Sequence, residues 1–145
     1  MTRYYAIDDA NAAVPEVERI LIALRDQREE LINLRDRVVA ASPPDDETPT
    51  PAAAEQIRLL RLGMQGLIDQ MQAGVARLVE MDITLRDIST GLIDFPALVS
   101  GRPIWLCWRL GEADVAHWHP HDEGFDTRRP LSELPMGRGS GTPAA

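Results

Sequence analysis

From Glu16 to Ala41, apolar side chains return every three or four positions. Val14, Val17, Leu21, Leu24, Leu31 and Val38 form one line, with Arg28 and Arg35 at the intervening seam positions. Ile20, Leu24, Leu31, Leu34 and Val38 widen it, while Ile22, Ile32 and Val39 lie off both stripes. This spacing predicts an amphipathic helix, and about 26 residues make a rod of roughly 40 Å. Pro15 suits its first turn, where no amide donor is missed. Before it, Tyr4 to Ile7 reads as extended, and Asp8 or Asp9 is placed to cap a short turn over Ala10 to Val14. Residues 42–51 hold four prolines and three acids, which predicts a surface loop. A second helix follows from Pro51 or Ala52. Its seam is Ile57, Leu60, Met64, Leu67, Met71, Gly74, Leu78 and Met81, alternating steps of three and four. Gly63, Gly66 and Gly74 each cost about 1 kcal/mol of helix propensity, which predicts close approach of the first helix along this run, with a flexible or kinked segment as the competing expectation.

After Met81 the period becomes alternating. Ile83 to Ile88 reads as a strand, Ser89-Thr90-Gly91 as a turn, and Leu92 to Ala97 as a second strand whose Pro96 favours an edge or a bulge. Ser100 to Pro103 reads as a hairpin turn and Ile104 to Leu110 as a strand. Gly111 to Asp114 turns again, and Val115 to His119 returns. The predicted fold class is α+β, a long antiparallel two-helix hairpin followed by a small antiparallel β-meander. It predicts one domain over residues 1–133, with helices about 15–41 and 52–81 and a sheet about 83–120. Residues 134–145 lack periodicity and are expected to be disordered. A lone helix pair leaves apolar surface on its outer faces, which the C-terminal part or another copy must cover.

Composition narrows the function. The 145 residues carry 15 basic side chains, all arginine, against 23 acidic ones, for a net charge of −8. Such a chain repels phosphate, which argues against charge-driven nucleic-acid binding. No stretch approaches the roughly 20 apolar residues of a membrane span. The N-terminal residues lack the apolar block of a signal peptide, and a single cysteine, Cys107, forms no internal disulfide; a cytoplasmic location is expected. Residues 1–100 hold 17 acids and 10 arginines, whereas residues 101–145 hold 6 and 5. All three tryptophans, all three histidines and the cysteine lie between Trp105 and His121. The chemically versatile side chains thus sit in the predicted sheet.

His117 and His119 alternate on a predicted strand and so share a face, with His121 two residues further on. Imidazoles so placed suit a divalent transition metal such as zinc, with Asp122 or Glu123 adding an oxygen. The candidate metal set is His117, His119, His121 and Glu123. Pro120 weakens the grouping by ending the strand before His121, and the competing expectation is a solvated loop with incidental histidines, or histidines hydrogen-bonded within the sheet. On the next strand, Ile104, Leu106, Trp108 and Leu110 are expected to face the helices, leaving Trp105, Cys107 and Arg109 on the other face. Arg109 is placed to pair with Asp94 or Glu112, or to bind an anionic ligand. Cys107 needs a nearby base and an exposed thiolate to act as a nucleophile; the competing expectation is a buried, inert thiol. Asp87, Thr90 and Asp94 stand where turn caps are common. Asp94, Arg109, His119 and Arg129 form the candidate ligand-binding set. No phosphate loop, Ser-His-Asp order or paired-cysteine motif is present.

Several blocks carry a resemblance: Tyr5-Ala6-Ile7-Asp8-Asp9-Ala10-Asn11-Ala12 with Val14-Pro15, Asp87 to Ala97, Leu106 to Glu112, and Trp118-His119 with Gly124-Phe125, Arg129 and Pro130-Leu131. Through them the chain resembles an uncharacterised bacterial and archaeal domain-of-unknown-function family, some members of which carry automatic labels related to cell division. That resemblance brings no activity with it, and His117 and His121 are not part of its motif. Two functions compete on the residues. One is an interaction or self-associating protein whose hairpin and β-module dock protein partners, without nucleic acid or membrane. The other is a small metal- or ligand-binding protein, hydrolase-like, built on the histidines.

Overall fold

The change of period at Met81 is a change of architecture. The computed structural model describes residues 2–135. Helix α1 spans Ile7–Ala41 and helix α2 spans Pro51–Glu80. The strands are β1 (Thr84–Asp87), β2 (Leu92–Val99), β3 (Arg102–Arg109), β4 (His117–Pro120) and β5 (Arg129–Pro130). They pair antiparallel in the order β1-β2-β3-β4-β5. Short 3-10 turns at Phe125–Thr127 and Leu131–Glu133 flank β5. This is the α+β arrangement of helical hairpin and meander that the periodicity predicts.

The start of α1 departs from expectation. One continuous helix runs through Pro15 in place of a turn followed by a helix. Proline removes one ladder bond in a helix interior, but tertiary packing holds this turn on both sides. Ala10, Val14 and Val17 are buried, and the Asn11 side chain accepts the Val115 N–H at 2.7 Å. Asp9 reaches back to the Ala6 amide at 3.4 Å, and two acids in the first turn complement the helix dipole. At α2 the Thr50 hydroxyl accepts the Ala53 N–H at 3.1 Å and Pro51 opens the helix.

The helices meet along the predicted seam. A Cβ on Gly74 would lie 3.2 Å from Leu24, and one on Gly63 3.2 Å from Leu34, so both mark close approach. Gly66 meets nothing within 4 Å, and the expectation of close approach fails there. Arg77 bridges the helices through a two-pronged contact to Glu16, at 2.7 and 3.2 Å. Near the sheet, Val17, Leu21, Leu24 and Leu78 are buried. Beyond the Leu24–Gly74 contact, Leu34, Ile57 and Leu60 are the buried side chains of the hairpin.

Register sets the two faces of the sheet. Ile93 pairs with Trp108, Phe95 with Leu106, Ala97 with Ile104, and Leu106 with Trp118. All of these join the core with the helices. Tyr5 fastens the three parts: its N–H donates to the Pro96 carbonyl at 2.8 Å, its hydroxyl to the Met81 carbonyl at 2.6 Å, and its ring meets Phe95 at 5.0 Å. Pro96 lies where β2 has run past the end of β1, so its missing N–H costs no ladder bond to β1. Gly91, at φ 69°, closes the β1–β2 turn in a conformation that side chains resist, and a Cβ there would stand 2.6 Å from the Leu110 Cβ. Leu134, the first residue of the expected disordered tail, packs on the core, while residues 136–145 lie outside the described residues. Among the described residues, no helix is long and apolar enough to cross a membrane.

Candidate functional site

The second face of the sheet gathers most of the candidate residues. Asp94 pairs with Cys107 in register, Cys107 with His117, and Trp105 with His119, so these side chains share one face. Asp94, Cys107 and His119 are nonetheless almost completely buried.

At the centre is an ion pair. His119 Nε2 donates to Asp94 Oδ2 at 2.9 Å, and Nδ1 donates to the Pro120 carbonyl at 3.0 Å. Both neighbours are acceptors, so both ring nitrogens carry hydrogen and the ring is an imidazolium. Burial works against that charge, but the Asp94 carboxylate and the Pro120 carbonyl outweigh it, and the pKa of His119 stands above the ordinary imidazole value. Arg86 Nε adds a 2.8 Å contact to the same Asp94 oxygen. Its guanidinium lies 4.9 Å from the Trp105 ring centre, and His121 stacks on Trp105 at 4.9 Å. Trp105 Nε1 donates to the His121 carbonyl at 3.1 Å, which fixes the stack.

A second polar group borders the first. Arg128 donates to Glu112 Oε2 at 2.7 Å and to Nδ1 of His117. Glu112 Oε1 accepts the Arg109 N–H at 2.8 Å. Phe125 lies under two guanidiniums, Arg128 at 4.7 Å and Arg109 at 5.6 Å. Arg129 stands over Trp118 at 5.3 Å and pairs with Glu123 at 3.6 Å.

These contacts sort the sequence candidates. The structure brings Asp94 and His119 together. Arg109 does not pair with Asp94; Arg86 holds that place, and Glu112 takes the Arg109 backbone amide while its guanidinium lies over Phe125. His117, His119, His121 and Glu123 engage Arg128, Asp94, Trp105 and Arg129 respectively. Among the described residues, no three of His, Cys, Asp and Glu converge to hold a metal ion. The Cys107 thiol is pushed up to about 12, first by burial and then by the Asp94 charge, so it is a neutral thiol rather than a nucleophile. Asp87 is the turn cap, its Oδ2 accepting the Thr90 N–H at 2.8 Å and the Thr90 and Ser89 hydroxyls at 2.6 and 2.9 Å. Asp94 is not a cap but a buried acceptor. The sequence pattern did not single out Arg86, which holds Asp94, while the segment of Arg128 and Arg129, which could lock onto the sheet or grip an acidic partner, does lock onto the sheet through Glu112 and His117.

An apolar surface lies on the hairpin. Leu31 of α1 and Ile68, Met71, Val75 and Ala76 of α2 line an open groove of about 440 Å³ with one polar side chain, Gln72, at its edge. Leu59, Leu62 and Val79 are more than half exposed elsewhere on α2, as is Val39 on α1. The family model of the uncharacterized conserved proteins DUF2203 matches residues 3–131. No curated protein and no solved structure matches the chain.

Proposed function

The chain belongs to the DUF2203 family of uncharacterized conserved proteins, and from that premise we propose that it is a cytoplasmic self-associating protein whose helical hairpin is the contact surface. The observation that carries this is the apolar groove of Leu31, Ile68, Met71 and Val75 on a hairpin with few buried side chains of its own. Helices in proteins draw most of their stability from packing an apolar face. A second hairpin laid over the groove turns two helices into four and closes under a two-fold axis with no other kind of chain. The net charge of −8 disfavours nucleic acid and anionic lipid as occupants. The lone, buried thiol of Cys107 suits a reducing compartment. The sheet serves as a rigid base, its polar face closed by its own ion pairs.

Light scattering after size exclusion tests this. The wild-type chain is expected at twice its 16.1 kDa mass, and Ile68→Glu, which places charge in the groove, at the single-chain mass with an unchanged helical spectrum. A wild-type monomer at every accessible concentration contradicts it.

A further inference from the structure

The hairpin groove is too small to hold two copies together by itself. Six side chains line it, whereas a stable interface takes about 20–30 residues a side. Its apolar surface continues towards the sheet. Val75 lines both the groove and a cavity of about 540 Å³ at the corner between α2 and β1. Val79, one turn further along the same side, is 65% exposed. Leu85, Pro96 and Trp105 line the same cavity. The Trp105 indole is held in one pose by the His121 carbonyl and ring, so covering it costs little side-chain entropy.

The opposite end of the stripe is charged. Arg61 lies seven positions before Ile68, two turns along the same side of α2. It is exposed and lines the loop end of the hairpin beside Pro43 and Pro44. At the corner, Asp82 lines the cavity with Val79, and its carboxylate accepts the Arg3 N–H at 2.9 Å. Neither Arg61 nor Asp82 forms an ion pair among the described residues.

Their positions decide how a second copy lies. Gln72 is the middle of the groove stretch Ile68–Ala76. Arg61 stands 11 residues before it and Asp82 10 after it, roughly 16 and 15 Å along the helix axis. Parallel copies would set Arg61 against Arg61 across the two-fold axis, a costly like-charge contact. Antiparallel copies bring each Arg61 level with an Asp82, twice per dimer, and carry each loop end over a Trp105 corner.

We propose, resting on the self-association reading, that the groove is occupied by an antiparallel second copy. Arg61 of each copy pairs with Asp82 of the other, and the loop end of each hairpin covers the other's Trp105. The contact surface thus runs from the groove through Val79 to the edge of the sheet.

Mixed-chain NMR tests the arrangement. A nitroxide is placed on Leu62→Cys of an unlabelled chain, buried Cys107 being left untouched, and this chain is mixed with ¹⁵N-labelled wild type. Broadening of the Trp105 indole signal is expected, with the amide signals of Ala52, Ala53 and Ala54 left sharp. In sedimentation over a dilution series, Arg61→Glu is expected to weaken the dimer about tenfold or more, and Arg61→Gln by less. A dimer whose Trp105 signal stays sharp, or whose 52–54 amides broaden, overturns the antiparallel arrangement and leaves self-association standing. An undiminished dimer in Arg61→Glu overturns the ion pair. A wild-type monomer overturns both this inference and the reading it rests on.

Discussion

His119 shows how a side chain that looks like a metal ligand becomes a structural cation. With a carboxylate on one nitrogen and a carbonyl on the other, the ring is held charged inside the sheet. The groups facing it are Asp94 and Arg86, from β2 and β1, and the neutral Cys107 thiol from β3. Because its folded pKa is raised, its contribution to stability is complete below the free-imidazole value of 6.5 and is lost as pH rises through the folded value. Urea unfolding across a pH series is expected to show a decline as pH rises above about 6.5 that His119→Phe removes; equal slopes in both proteins refute it. Asp94→Ala leaves the imidazolium and Arg86 without their shared carboxylate, both Asp94 and His119 being about 2% exposed. It is expected to cost about 3–5 kcal/mol in urea unfolding, and a loss below about 1 kcal/mol contradicts the pairing. The thiol at about 12 predicts that Cys107 resists iodoacetamide at pH 8 in the folded chain and reacts in urea. Asp94, His119 and Cys107 were legible as residues sharing a face, since strand period alone places them. Their mutual satisfaction was not, because period assigns a face and does not say which side chains on it meet, as Arg86 and His119 do on one Asp94 oxygen.

At the scale of elements, long periodic segments were the most legible. The seam from Ile57 to Met81 fixed α2 to within a residue at each end, whereas Pro15 misled the reading of α1. Local proline chemistry predicts a helix start there, and burial of Ala10, Val14 and Val17 against the sheet overrides it. β5 was invisible because two residues carry no period; only pairing with β4 defines it. The glycines of α2 divide by environment. Gly66 faces open space, so Gly66→Ala is expected to stabilise the chain by about 0.5–1 kcal/mol, seen as a higher Tm. Gly74→Ala pushes a methyl towards Leu24 at 3.2 Å and is expected to gain less or lose stability. Equal gains at both sites contradict the described packing.

Taken whole, the molecule separates a closed polar sheet from an open apolar hairpin. About 35 residues of α1 span roughly 50 Å, while its buried residues cluster in the half that meets the sheet. The sequence shows that such a hairpin leaves apolar surface over, and the structure locates it between Leu31 and Val75. Contact between copies can be read directly by placing a nitroxide on Gln72→Cys, at the edge of the groove, and mixing that chain with an unlabelled-thiol, ¹³C-methyl-labelled one. Broadening of the Leu31, Ile68 and Val75 methyl signals, with the Ile93 and Val115 signals left sharp, is the result expected of paired hairpins. Sharp signals throughout, or broadening confined to the sheet, contradict them.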